Sequence, residues 1–144
     1  MSSEIEKIEL VEGGLFADDR GFLRFVNDFD FSQVRRFYQV ENHSAGFIRA
    51  WHGHKEEMKF IYVPKGSALI GLANMEAEEE VHKFTLTSQK PRILCVPKGY
   101  ANGFKTLEEG TIIIFFSSST LEESHGDDYR FDWDKWNIWE ESYR

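Results

Sequence analysis

Short apolar or alternating segments recur along this 144-residue chain, and turn-forming residues separate them. Segments of strand length, spaced about eight to twelve residues apart, are typical of an all-β sandwich or barrel. No convincing segment of helical period precedes residue 120. Two Pro-Lys-Gly turns, at 64–66 and 97–99, suggest two related halves. The predicted strands are 8–11, 22–26, 34–40, 47–51, 58–63, 68–73, 81–86, 92–96 and 111–117.

The predicted strand 47–51 leads into two histidines, His52 and His54. Side chains alternate between the two faces of a strand, so residues two apart share a face and both imidazoles point the same way. The spacing from Gly46 through these histidines to Gly66 resembles the first motif of the cupin β-barrels. That resemblance implies a double-stranded β-helix, or jelly-roll barrel, with the histidines at its mouth.

Two positions that hold metal ligands in cupins carry other residues here. Lys59 stands where the carboxylate of the first motif is expected, and Asn102 stands where the last histidine is expected. An ammonium repels a divalent cation, and an amide is a weak ligand for transition metals. We therefore expect no metal and no other cofactor, which disfavours a metal-dependent cupin dioxygenase.

The composition limits the classes of partner. A formal net charge of −8 without a basic tract disfavours nucleic acid. The single cysteine, Cys95, lies in an apolar run and is expected to be a buried, inert thiol. No apolar run reaches bilayer length and no signal pattern begins the chain, so we expect no membrane contact and a cytoplasmic location. The length favours one domain over 1–144, with its core at about 18–120.

The C-terminal segment 127–144 differs in character from the rest. Trp133, Trp136 and Trp139 occur among acidic residues, and a spacing of three indicates a short helix or a strap lying on the barrel. Core packing or a subunit contact is the favoured role for these tryptophans over a ligand platform. The preceding His125 is expected in a solvated loop, as is the acidic stretch 75–80.

Five landmarks in order resemble the dTDP-4-dehydrorhamnose 3,5-epimerase family. The landmarks are 18–22, Gln39 with 42–44, 46–52, 97–104 and 131–133. The segment 49–55, together with Tyr38, is also similar to the dTDP-4-keto-6-deoxyglucose 3,4-ketoisomerases. Both families move protons beside the carbonyl of a nucleotide-linked 4-keto sugar without a metal. The resemblance thus implies a metal-independent epimerase or isomerase of a nucleotide-linked 4-keto-6-deoxy sugar, most simply dTDP-linked, in deoxysugar or surface polysaccharide biosynthesis.

The chain departs from the epimerase pattern in three places. The epimerases carry an acid tyrosine on a late strand, where 118–121 has none, and Asn102 replaces a histidine. The aspartate that supports their catalytic histidine has only distant counterparts, Glu140 and Glu141. These departures keep open a second function, a cupin that binds a nucleotide sugar or other small carbohydrate without turnover.

The candidate catalytic residues follow from the chemistry of proton removal beside a ketone. Such a reaction needs a base with a pKa near the working pH, and His52 is our candidate. It also needs positive charge near the developing enolate, which Lys59 can supply. His54 either returns or relays the proton, or is a hydrogen-bonded pocket histidine; the sequence leaves both interpretations open.

The remaining candidates bind the substrate or a second subunit. Arg20 and Arg49 are suited to bidentate contacts with a diphosphate, although a salt bridge from Arg20 to Asp18 is an alternative. Tyr38, Gln39 and Asn102 are assigned to substrate binding with them. We also expect a homodimer, in which 4–11 adds to the partner's sheet and the Trp-rich tail provides further apolar contact.

Overall fold

The computed structural model describes residues 6–140, in which two five-stranded antiparallel sheets contain most of the strands. A 3-10 turn, Phe31–Gln33, and one short helix, α1 (Leu121–His125), accompany the strands. The strands are β1 (Glu9–Glu12), β2 (Gly14–Asp18), β3 (Gly21–Phe25), β4 (Arg36–Glu41), β5 (Ile48–Gly53), β6 (Lys59–Lys65), β7 (Ser67–Asn74), β8 (Val81–Thr87), β9 (Arg92–Val96), β10 (Tyr100–Thr106), β11 (Ile112–Ser117) and β12 (Tyr129–Arg130).

The strand order identifies a jelly roll. The first sheet has the order β1-β9-β6-β11-β4, the second has the order β12-β5-β10-β7-β8, and β2 and β3 form a separate hairpin. Each predicted strand overlaps an observed one, and the predicted all-β cupin architecture is confirmed. Within 6–140, the absence of a helix before residue 120 is also as predicted, apart from the 3-10 turn.

The sequence analysis missed three strands. The most consequential is β10, which lies between β5 and β7 in the middle of the second sheet. Its Asn102-Gly103 pair consists of residue types that are depleted in strands, so its composition hid it. The other two are β2 and the two-residue β12.

The main core lies between the two sheets, where alternate side chains of each strand point inward. On β6 and β11, for example, Ile61, Val63, Ile113 and Phe115 are almost fully buried. They meet the inward residues of the second sheet, Ala68, Ile70, Leu72, Leu86 and Phe104. This core extends over most of the barrel and ends at the polar cavity described below.

The Trp-rich tail is a strap across the outer face of the second sheet. Trp136 and Trp139 are 6% and 3% exposed and pack against the fully buried Trp51. The indole N–H groups of Trp51 and Trp139 both donate to the carbonyl oxygen of Trp133, at 3.0 and 3.1 Å. The segment forms turns rather than a helix, and Trp133 itself is exposed. Core packing is therefore confirmed for two of the three tryptophans.

The N-terminal strand pairs within its own chain. Residues 9–12 lie antiparallel to β9, with Leu10 opposite Leu94. Since β1 is an edge strand of the first sheet, addition of this segment to a partner's sheet stays a prediction, and residues 4 and 5 lie outside the described residues. The structure has no helix, over 6–140, that is long and apolar enough to span a membrane.

Candidate active site

A polar cavity of about 260 Å³ opens at one end of the barrel, where the apolar core stops. The first sheet contributes Tyr38, Lys59 and Phe115 to its wall. The second sheet contributes side chains from β5 and β10, and the C-terminal segment closes the rim. The cavity therefore brings together residues from both halves of the chain.

Six of the eight predicted site residues line this cavity. They are Tyr38, Arg49, His52, His54, Lys59 and Asn102. His52 lies on β5 in the second sheet, whereas Tyr38 and Lys59 lie on β4 and β6 in the first. The candidate base and the candidate enolate partner therefore face the same space from opposite walls.

His52 is half-buried, and its pKa is lowered from the ordinary histidine value of 6.5. Burial is the main cause, because it penalises the charged imidazolium. The positive charge of Arg130 lowers the pKa further, while the negative charge of Asp128 opposes this effect. His52 is consequently neutral near pH 7, which is the form that can accept a proton.

His54 is held in one orientation by the C-terminal segment. Its side chain is 5% exposed, and its Nδ1 lies 2.5 Å from the carbonyl oxygen of Asp127. The N–H of Gly99, in the second Pro-Lys-Gly turn, donates to the carbonyl oxygen of His54 at 2.8 Å. Both neighbours fix the end of β5 against the rim of the cavity.

Asp127 also organises the turn that joins the two histidines to Lys59. Its carboxylate accepts backbone hydrogen bonds from residues 55, 56 and 57, at 2.7, 2.8 and 3.0 Å. These donors would otherwise be buried or half-buried without partners, which is costly. The side chain of Asp127 thus stabilises the turn between His54 and Lys59.

Lys59 and Tyr38 form a pair on the first sheet. The ammonium of Lys59 is 6% exposed and donates to the hydroxyl oxygen of Tyr38 at 2.5 Å. The Tyr38 ring stacks on Phe115, with ring centroids 5.0 Å apart and an interplanar angle of 9°. The ring packing fixes the direction of the hydroxyl, and the lysine charge polarises it.

Two predicted residues, Arg20 and Gln39, do not line the cavity. The guanidinium of Arg20 is 85% exposed on the β2–β3 hairpin and pairs with Asp18, with Nη2 and Oδ2 2.5 Å apart. This is the salt bridge that the sequence offered as the alternative role. Gln39 points outward because it alternates with Tyr38 and Val40, which face the cavity. Neither residue supports ligand binding in the cavity of its own chain.

The C-terminal rim was misjudged from sequence. His125 and its neighbours were expected in a solvated loop, yet Ser124, His125, Asp128 and Arg130 all line the cavity. Asp127 is buried, at 7% exposure. The reason is topological, since β12 pairs with β5 and places Arg130 opposite His52. An acidic, glycine-containing stretch gives no sign of that pairing.

A second missed residue is Glu57, which lies behind the cavity wall. Its side chain is fully buried and lies 3.7 Å from three basic groups, on Arg36, His54 and Lys59. No local pattern marks it, because Glu57 precedes β6 and the hydroxyl groups that hold its carboxylate belong to Ser117 and Ser124. Glu140, one of the carboxylates considered as a support for the histidine, does not line the cavity, and Glu141 lies outside the described residues.

The donor set does not resemble a metal centre. Over residues 6–140, no group of three or more histidine, cysteine, aspartate or glutamate side chains is placed to hold a metal ion. Lys59 occupies the wall where the cupin carboxylate would stand, and its ammonium is a donor only. The expected independence from metals remains a prediction that elemental analysis can test.

Comparison with known proteins agrees with this geometry. The sequence model of the dTDP-4-dehydrorhamnose 3,5-epimerase family matches residues 2–141. Among curated proteins, the spore coat polysaccharide biosynthesis protein SpsL of Bacillus subtilis is 27% identical over 138 residues. That match covers 89% of this chain and 91% of SpsL.

Solved structures with the same fold include both enzyme types suggested by the sequence. The dTDP-4-dehydrorhamnose 3,5-epimerase of Sulfolobus tokodaii is 26% identical with a TM-score of 0.74, covering 91% of this chain and 81% of the other. The sugar 3,4-ketoisomerase QdtA of Thermoanaerobacterium thermosaccharolyticum, solved with TDP, is 20% identical with a TM-score of 0.69. The match covers 90% of this chain and 91% of QdtA. At so low a sequence identity, the likeness to QdtA concerns the fold alone.

Proposed function

The chain belongs to the dTDP-4-dehydrorhamnose 3,5-epimerase family, a family of isomerases, and we propose that it moves a proton beside the ketone of a nucleotide-linked 4-keto-6-deoxy sugar. The reaction uses no metal, and His52 is the base. One observation carries this proposal: a neutral, half-buried His52 faces the Lys59–Tyr38 pair across a single cavity. The product serves deoxysugar or polysaccharide biosynthesis, as the name of the SpsL relative suggests.

The base and the oxyanion partner act on opposite sides of the sugar. His52 accepts the proton from the carbon beside the ketone, and the electron pair shifts to the carbonyl oxygen to give an enolate. The ammonium of Lys59 stabilises that negative charge inside a cavity where water is limited. Protonation of the same carbon from the opposite face gives the epimer. For keto migration, the proton of the C3 hydroxyl moves to the former carbonyl oxygen and C4 is protonated instead, which leaves the ketone at C3.

Tyr38 is the acid in this scheme. An ammonium has no acceptor, so Lys59 donates to the oxygen of Tyr38 and leaves the tyrosine's own hydrogen free to donate into the cavity. The stacking of the Tyr38 ring on Phe115 fixes the direction of that hydroxyl. Tyr38 therefore replaces the late-strand tyrosine that is missing at 118–121. His54 relays or returns a proton from beside His52, and Asn102 hydrogen-bonds the sugar.

The size of the cavity determines how a nucleotide sugar would lie. A volume of about 260 Å³ is below the ~300–1,000 Å³ of pockets that enclose whole drug-sized ligands. The sugar ring therefore occupies the cavity, and the nucleotide lies across its rim. Arg49 and Arg130, both exposed at the rim, are placed to hold the diphosphate through bidentate contacts.

Proton exchange with solvent tests the proposal. The protein is incubated with dTDP-4-keto-6-deoxyglucose in deuterated water, and the sugar is followed by NMR. Deuterium at C3 alone indicates action at one centre, deuterium at C3 and C5 indicates a 3,5-epimerase, and a 3-keto product indicates a ketoisomerase. The absence of exchange at any carbon contradicts the proposed activity.

A second candidate function is binding without turnover. Its support is the lack of a tyrosine at 118–121, where the epimerases carry their acid. In the structure, Ser118 instead accepts a hydrogen bond from the backbone N–H of Met58 at 2.8 Å. Saturable binding of the nucleotide sugar in calorimetry, together with no deuterium incorporation, would favour this function.

A further inference from the structure

We propose that Glu57 is a positioning residue, whose buried carboxylate keeps Lys59 charged. This inference rests on the proposed function of the cavity, because it assigns Glu57 a task through Lys59. Glu57 itself does not line the cavity, so it acts behind the wall rather than on a substrate.

The carboxylate of Glu57 is fully enclosed and held by two hydroxyl groups. Ser117 of β11 donates to Oε2 at 2.7 Å, and Ser124 of α1 donates to Oε1 at 2.6 Å. The backbone N–H of Glu57 donates to Asp127 at 3.0 Å. Three separate parts of the fold therefore converge on one side chain, which a solvated glutamate would not require.

The charge of Glu57 balances two buried or half-buried cations. Its Oε2 atom lies 3.7 Å from Nζ of Lys59 and 3.7 Å from Nη2 of Arg36. Two positive charges brought together away from water are strongly unfavourable unless a negative charge lies close to both. Removing the carboxylate would leave them facing each other, and Lys59 would then lose its proton more readily.

The carbonyl oxygen of Asp127 selects one tautomer of His54, whose ring also lies beside the Glu57 carboxylate. The Nδ1 atom of His54 faces the carbonyl oxygen of Asp127 at 2.5 Å and Oε1 of Glu57 at 3.7 Å. A lone pair on Nδ1 would point at two oxygen atoms, so the hydrogen belongs there. The Nε2 atom, which has no hydrogen-bond partner within residues 6–140, is then left as an acceptor.

Other groups around Lys59 do not supply this negative charge. The aromatic and basic neighbours add positive charge or a neutral hydroxyl. Two further carboxylates lie on the C-terminal segment: Asp127, which accepts three backbone hydrogen bonds, and Asp128, which acts on His52. The other groups are Arg36 and Tyr38 on β4, His52 on β5, His54 directly after it, and Arg130 of the C-terminal segment. Glu57 is therefore the anion that determines whether Lys59 stays protonated.

The test compares Glu57→Gln with Glu56→Gln, an exposed carboxylate one residue earlier. Labelled lysine side chains are followed by NMR against pH without substrate, with Lys59→Met to assign the signal. The titration of Lys59 is expected to move to lower pH by about one to three units in Glu57→Gln and to stay in place in Glu56→Gln. Glu57→Asp, which keeps the charge, should lie closer to the wild type than Glu57→Gln does. An unshifted Lys59 titration in Glu57→Gln overturns the proposal.

Two further readouts complete the experiment. In the exchange assay, the alkaline limb of the rate profile should move in the same direction as the Lys59 titration, and a limb that does not move contradicts the inference. If Glu57→Gln does not fold, the Lys59 signal of the wild type decides: a protonated Lys59 at pH 7 supports the proposal and a neutral one overturns it. Both NMR readouts need no turnover, so a wild type without exchange rejects the proposed function while Glu57 is still judged separately.

Discussion

The ammonium nitrogen of Lys59 lies 2.5 Å from the hydroxyl oxygen of Tyr38, and both side chains face His52 across the cavity. The lysine donates, so the tyrosine hydrogen is free for a substrate. In the proposed mechanism, this relationship places an acid and an oxyanion partner on one wall and the base on the other. Tyr38 then takes the role of the tyrosine that the epimerases carry on a late strand.

Replacing Tyr38 by phenylalanine should separate exchange from conversion. His52 and Lys59 remain, so deuterium still enters beside the ketone, but product formation falls by about a hundredfold or more because the acid is lost. The ratio of conversion to exchange, measured by NMR, is the readout. Tyr62→Phe is a matched control, since Tyr62 does not line the cavity. A Tyr38→Phe variant with the wild-type ratio would remove Tyr38 from the mechanism.

The pH dependence of exchange should follow the environment of His52. Its pKa is lowered by burial and then by Arg130, so the base form persists below pH 6.5 and the acid limb of the rate profile lies there. Asp128→Asn removes the charge that raises this pKa and should move the limb further down. Arg130→Met removes a charge that lowers it and should move the limb up. The reverse order for the two variants would show that another group controls the limb.

Replacing Asp127 should be one of the most destabilising changes to the turn before Lys59. Asp127→Ala leaves three backbone donors without their acceptor, so the free energy of unfolding should fall by about 1–3 kcal/mol. Urea denaturation of this variant and of Asp134→Ala, an exposed aspartate on the strap, provides the comparison. Equal stability of the two variants would mean that the turn holds itself together.

Sequence patterning was sufficient for the architecture and for most of the cavity. Alternation alone placed His52 and His54 on one face, and cupin spacing placed Lys59 across from them. The pattern failed where composition contradicts position, as in β10, whose Asn102-Gly103 pair lies in the middle of a sheet. The neighbouring strands have residue types that favour strands, whereas β10 forms a strand through its pairing in the sheet despite its composition.

The missed residues have partners far away along the chain. Glu57 is held by Ser117 and Ser124, and Asp127 accepts from the turn before Lys59, so neither role is visible in a local window. Arg20 shows the opposite case, because its salt-bridge partner, Asp18, is a near neighbour in the sequence and is visible in a local window. Long-range polar contacts of this kind require the fold before they can be recognised.

The β2–β3 hairpin supports the prediction of a homodimer. Phe16, Phe22 and Leu23 are 57%, 68% and 60% exposed there, with Phe16 paired opposite Leu23 on one face of the hairpin and Phe22 on the other. Packing of these side chains against a second copy would remove apolar surface from water. Light scattering at micromolar concentration should give twice the chain mass of 16.9 kDa. Phe22→Asp should reduce that mass, whereas Leu121→Asp, at an exposed leucine on α1, should not. A wild type of single-chain mass would contradict the dimer.

The rate of solvent exchange in His52→Asn tests the assignment of the base most directly. The amide of asparagine cannot accept a proton at neutral pH, so deuterium incorporation into dTDP-4-keto-6-deoxyglucose should fall by about a hundred- to ten-thousandfold. Binding of dTDP, measured by calorimetry, should be nearly unchanged because the imidazole acts mainly in the transition state. Exchange at the wild-type rate in His52→Asn would contradict the account and transfer the role of base to His54.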